Sequence, residues 1–170
     1  MATKAISNSA HISRKKRLDL ELPLMKESFN RWFLGNTKAV DFCLGIVRSA
    51  HLWDDLIDKD NDYTDKEVHD VFSFLMFEMP SNPFYINYQR DLSPIMMSIL
   101  LKWHTANIFE KERREGDINK AFVLRAELYQ LFVICAVLTG GREWGIEVSP
   151  TIWRSYGELF EDFKQEIENA

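Results

Sequence analysis

From Thr37 to about Lys59 the chain reads as one helix, with Thr37 as its N-cap. Val40, Cys43, Val47 and Ala50 lie on one stripe, and Phe42, Ile46, Trp53 and Leu56 on another. A helix with apolar cover on most sides must be surrounded by other elements, so it belongs at the centre of the fold. Steps of three and four along the first stripe then land on Asp54 and Asp58, and acids prolong a core-facing seam. A helix C-terminus already carries partial negative charge. Aspartates there repel one another and the unpaired carbonyls unless a cation compensates them. A metal ion, a basic partner and solvent counterions are the three candidates.

The rest of the chain supplies helices to surround it. Pro23 to Leu34 reads as a short helix with Phe29, Trp32 and Phe33 on one face, closed by Gly35-Asn36. Thr64 and Glu67 have capping-box spacing for a helix that Met79-Pro80-Ser81-Asn82-Pro83 breaks, and a short helix follows from Pro83 to about Asp91. Ser93-Pro94 signals the start of a long helix reaching Glu115, and Asp117 caps another from Ile118 to about Thr139 that Gly140-Gly141 stops. Past an irregular connector over Arg142 to Val148, Ser149-Pro150 opens a final helix holding Ile152, Trp153, Tyr156, Phe160 and Phe163. No segment alternates with period two between hairpin turns. The expected fold is all-α, a single compact bundle of about six helices.

With 170 residues, 46% of them hydrophobic, the chain has material for one domain with a real core. The division expected is a flexible basic tail over 1–22, carrying the run Arg14-Lys15-Lys16-Arg17, and a bundle over 23–170. A formal charge of −5 argues against a nucleic-acid-binding surface outside that tail. Cys43 and Cys135 sit among apolar neighbours as small core residues, which suits a reducing, cytoplasmic setting. The longest purely apolar run, Leu131 to Leu138, is too short for a bilayer, so no membrane span is expected. Partners left open are a small phosphorylated substrate and a second copy of the chain.

If neighbouring long helices run antiparallel, those starting at Thr37, Pro94 and Pro150 point the same way, and their polar residues can be compared by height. At ~1.5 Å per residue, Asp54 to Asp58 lie roughly 25 to 32 Å along the first, Asn107 to Glu110 roughly 20 to 24 Å along the second, and Glu161 to Glu166 roughly 17 to 24 Å along the third. Asn107 continues the apolar stripe of Met96, Leu100 and Trp103, and Glu110 follows one turn on. Asp54, Asp55, Asp58, Asn107 and Glu110 are therefore the candidate metal ligands. Such an oxygen set is what Mg²⁺ takes, with Mn²⁺ the other candidate. His51 and His104 are the candidate catalytic histidines, and Arg48 and Arg114 the candidate phosphate ligands.

Asp54-Asp55-Leu56-Ile57-Asp58 is a DDxxD sequence, preceded by Arg48 and His51 on the same helix. It resembles the first aspartate-rich motif of the all-α isoprenoid (prenyl diphosphate and terpene) synthases. That resemblance, over Arg48 to Asp62, implies Mg²⁺ held by Asp54, Asp55 and Asp58 and a substrate diphosphate held by the metal. No second DDxxD follows, and Asn107-Ile108-Phe109-Glu110 and Phe160-Glu161-Asp162-Phe163 are degenerate stand-ins. The all-α nucleotide pyrophosphohydrolases are similar in placing acids on the helices of a small bundle. The sequence thus leads to a divalent-metal-dependent enzyme acting on a phosphorylated or diphosphate-bearing substrate. The alternative is a non-catalytic α-helical interaction protein using an acidic patch to bind a basic partner.

Overall fold

The central helix starts one residue before the expected cap. Asn36 accepts the Lys38 and Ala39 backbone N–H groups, each at 3.1 Å, through its side-chain oxygen, and Thr37 is the first helical residue. A computed structural model describes the backbone of residues 14–58 and 63–169 and the side chains of 21–57 and 63–168. The described elements are helices α1 (Arg14–Trp32), α2 (Thr37–Asp58) and α3 (Asp65–Ser73), a π-helical turn (Phe74–Glu78), then α4 (Met79–Ser81), α5 (Pro83–Glu112), α6 (Asp117–Arg125), α7 (Leu128–Arg154) and α8 (Phe160–Asn169). No strand occurs among the described residues, and the fold is an all-α bundle.

Helix α2 is central, as its apolar cover requires. Phe42, Cys43, Ile46 and Val47 pack with Phe29, Trp32 and Phe33 of α1, Phe84 and Leu92 of α5, and Leu131, Phe132, Cys135 and Ile152 of α7 in one core. Cys43 and Cys135 are free thiols with sulfurs 3.6 Å apart, both fully buried. A second, smaller core joins Ala106 of α5, Ala121 of α6 and Phe163 of α8, with Phe109, Phe122 and Phe160 around it. Among the described residues, α5, thirty residues long, is the helix that contributes to both cores.

Several helix boundaries differ from the sequence expectation. Helix α1 already includes Arg14, so Pro23 is an exposed interior residue rather than a first-turn one, while residues 1–13 and the side chains of the basic run lie outside the described residues. The capping box forms at Thr64 and Glu67, and the break expected over Met79 to Pro83 falls at the extended Asn82 (φ −71°, ψ 122°); Pro80 itself occupies the first turn of α4, where its missing N–H needs no partner. Asn82 then caps α5 through Phe84 and Tyr85 and donates to the Lys38 carbonyl at 3.0 Å. Ser93-Pro94 starts nothing. Helix α5 runs through Pro94, and its break lies at Tyr88 (φ −117°, ψ 18°).

The expected helix from Ile118 to Thr139 is two helices, because the chain turns at Ala126-Glu127. Gly141 breaks α7 with φ 84° and ψ 173°, a conformation that suits glycine, and the segment expected as a connector resumes the helix. The redirected segment returns Trp144 to α1, where its indole N–H donates to the Trp32 carbonyl at 2.8 Å. Among the described residues one helical stretch, Asp117–Arg154, is by length and composition apolar enough to cross a membrane, with 33% of its most apolar window buried. This exceeds the eight-residue run picked out from the sequence, because the few polar residues that interrupt the stretch leave its mean hydropathy high.

The π-turn sits where it does because Gly45 of α2 offers a flat seat. A Cβ at position 45 would overlap the Phe74 ring. Gly45→Ala should therefore lower stability by about 1–2 kcal/mol, since overpacking outweighs the helix propensity gained. Gly157→Ala, where nothing stands near the added carbon, should stay within about 0.5 kcal/mol of wild type. Urea denaturation of both variants measures the difference.

Candidate functional site

Three of the polar residues that interrupt the apolar stripes meet at one place, and a side chain missed in the sequence stands at its centre. Arg125, the last residue of α6, lies among Asp54 of α2 and Asn107 and Glu110 of α5. Its Nη1 donates to Asp54 Oδ1 at 3.2 Å and its Nη2 to Asn107 Oδ1 at 3.1 Å and Glu110 Oε2 at 2.7 Å; Nε donates to Glu110 Oε1. The pairing with Glu110 is bidentate, the geometry the planar guanidinium favours. The ring of Phe163 on α8 lies 6.0 Å from the guanidinium carbon. Arg125, Asp54 and Glu110 keep only 15–20% of their side-chain surface exposed.

Burial works against the charge on Arg125. The hydrogen bonds and charges of Glu110 and Asp54 more than offset it, and the guanidinium is held protonated more firmly than an ordinary arginine. The neighbouring Asp55 faces elsewhere. It is 2% exposed and accepts the phenolic hydrogen of Tyr63, which lies just before α3. The two adjacent aspartates thus serve different elements, Asp54 reaching towards α6 and Asp55 towards the start of α3.

Of the residues singled out in the sequence, Asp54, Asn107 and Glu110 come together as their heights along the helices allow. Asp58 is the last described residue of α2, and its side chain lies outside the described residues, as do Asp60 and Asp62 entirely. His51 is half-buried on α2, whereas His104 and Arg48 are exposed. Arg114 is exposed in the α5–α6 turn, pairs with Glu112 at 3.0 Å and donates its backbone N–H to Asp117. From α8 it is Phe163 that approaches the cluster. Arg125 and Tyr63 escaped notice. The signal for Arg125 was present, because Ala121, Arg125 and Leu128 fall at helical spacing and a charge stands on an apolar stripe.

The oxygen donors suit Mg²⁺ in kind, since carboxylate and amide oxygens are what that ion takes. They do not fit it in arrangement. Asp54, Asn107 and Glu110 are spaced around a guanidinium, Asp55 is turned to Tyr63, and no group of three or more His, Cys, Asp or Glu among the described residues is placed to hold a metal ion. No family model, curated protein or solved structure matches this chain.

Beside the cluster lies an aromatic group of Phe122, Tyr129, Tyr156, Phe160 and Phe163. Burial and a hydrogen bond to the Glu158 carboxylate push the Tyr156 hydroxyl well above its ordinary value; burial and the Glu21 charge raise Tyr129 as well. Burial also raises the Cys43 thiol, with its Cys135 contact adding to it. A group whose folded-state value is raised binds its proton more tightly folded than unfolded. Stability is then fully present below the unfolded value and falls as pH rises through the interval between the two. Thermal midpoints should hold steady to about pH 8, decline above about 8.5 as the unfolded Cys43 thiol ionises, and decline more steeply above about 10 with the tyrosines. Tyr156→Phe should flatten the last part, and midpoints measured between pH 7 and 11 check it.

Proposed function

We propose that this chain is a non-catalytic α-helical interaction protein, which docks a partner having an apolar centre and a basic rim. The observation that carries this is the surface of α3 and the π-turn. Phe72, Leu75, Met76 and Phe77 are 53%, 36%, 62% and 65% exposed, and neither element buries a single residue. The wider π-turn, closed by the Met79 N–H on the Phe74 carbonyl, sends Phe74 against Gly45 while its three following apolar side chains stay in solvent. Apolar side chains clustered on a surface and flanked by charge mark interaction sites. Asp65, Asp70 and Glu78 are exposed on the same segment and Lys66 is its one exposed lysine or arginine, so complementarity asks for a basic rim.

This reading shifts the acidic surface away from the aspartate motif. Asp54 and Glu110 are engaged with Arg125 and shielded, so they offer little charge to a partner. A second reading, a metal-dependent enzyme handling a phosphorylated substrate, draws support from the convergence of Asp54, Asn107 and Glu110. It requires Arg125 to leave those oxygens.

A Leu/Lys amphipathic helical peptide is a direct probe. It should bind the wild-type chain, more weakly as salt rises, and Met76→Glu/Phe77→Glu should weaken it about tenfold or more at an unchanged thermal midpoint. Titration followed by tryptophan fluorescence reads the affinity. Absence of binding, or equal binding by the variant, overturns the proposal.

A further inference from the structure

We infer that Arg125 stands in for the divalent cation that the aspartate motif implies, and that the motif here serves to lock α6 and α8 onto the central helix. The inference is independent of the docking reading. It begins from the requirement that acids on a core-facing seam be compensated. The chain meets that requirement from within. Four donor contacts from one guanidinium reach oxygens on two helices, and they use four of the roughly five N–H groups that an arginine has.

A tethered cation competes well against an ion in solution. Arg125 is held near its acids by α6, so its effective concentration there is set by the fold, whereas Mg²⁺ must shed water that it gives up reluctantly. The planar fork also suits this site better than a spherical ion, since Glu110 presents both oxygens side by side to Nε and Nη2. Phe163 covers the group from α8, and Asp55, the second acid of the motif, is buried against Tyr63. The motif therefore sorts its adjacent aspartates between two structural tasks. Asp54 ties the end of α2 to the smaller core through Arg125, and Asp55 ties it to the residue that precedes α3.

The test uses the full chain and thermal unfolding with millimolar Mg²⁺ or Mn²⁺, each with and without inorganic diphosphate. The wild-type midpoint should not move. Arg125→Met, which keeps the bulk and removes the charge, should lower it by on the order of 5–10 °C. Arg125→Lys should recover only part of that loss, because one ammonium cannot form the bidentate pair and reach Asp54 as well. A wild-type rise of several degrees with either metal, lost in Asp54→Asn, would show an ion in the role assigned to Arg125 and overturn the inference. So would an Arg125→Met variant as stable as wild type. Should Arg125→Met fail to fold, the wild-type metal titration still decides.

Discussion

The ion pair between Arg125 and Glu110, extended to Asp54 and Asn107, is the constraint around which the two halves of the bundle are arranged. The main core is made by α1, α2, α7 and the first half of α5; the smaller one is made by the second half of α5 with α6 and α8. Asp54 comes from the first group and Arg125 from the second. A shielded ion pair of this kind adds little net stability over apolar packing, but losing one partner leaves a charge stranded, at a cost of about 3–5 kcal/mol. Its consequence is specificity. Few other placements of α6 against α2 would satisfy the same oxygens.

The helical class, the central place of α2 and the candidate polar layer were legible because they rest on periodicity. Asp54, Asn107 and Glu110 stood out as polar residues on apolar stripes, and rise per residue placed them at compatible heights. What sequence did not yield was the sign of their partner. Arg125 lay inside a segment read as one continuous helix from Ile118 to Thr139, and the turn at Ala126-Glu127 that puts it at a helix end has no Gly or Pro to announce it. Conversely, Pro94 and Pro150 read as boundaries yet lie within helical segments. A proline's cost is local, and tertiary packing such as that of Leu92 and Ile152 overrides it.

The resemblance to the isoprenoid synthases carries an expectation of metal, and the physical content of that expectation is a need for positive charge at one helix end. A guanidinium supplies it here. The difference matters for function because an ion bridging acids keeps positions open for a substrate phosphate, while Arg125 has most of its donors engaged. The surface is correspondingly more informative than the polar centre. The π-turn exists because Phe74 has a glycine to rest on, and the same turn exposes Leu75, Met76 and Phe77. One packing choice in α2 thus shapes the face available to a partner.

A double-mutant cycle between Arg125→Met and Glu110→Gln, read by urea denaturation, tests the central claim most directly. If Arg125 is the compensating cation, the two substitutions are strongly coupled, by about 1.5–3 kcal/mol, and the double variant is more stable than the sum of the single losses implies. Additive losses, with coupling below about 0.5 kcal/mol, would contradict it.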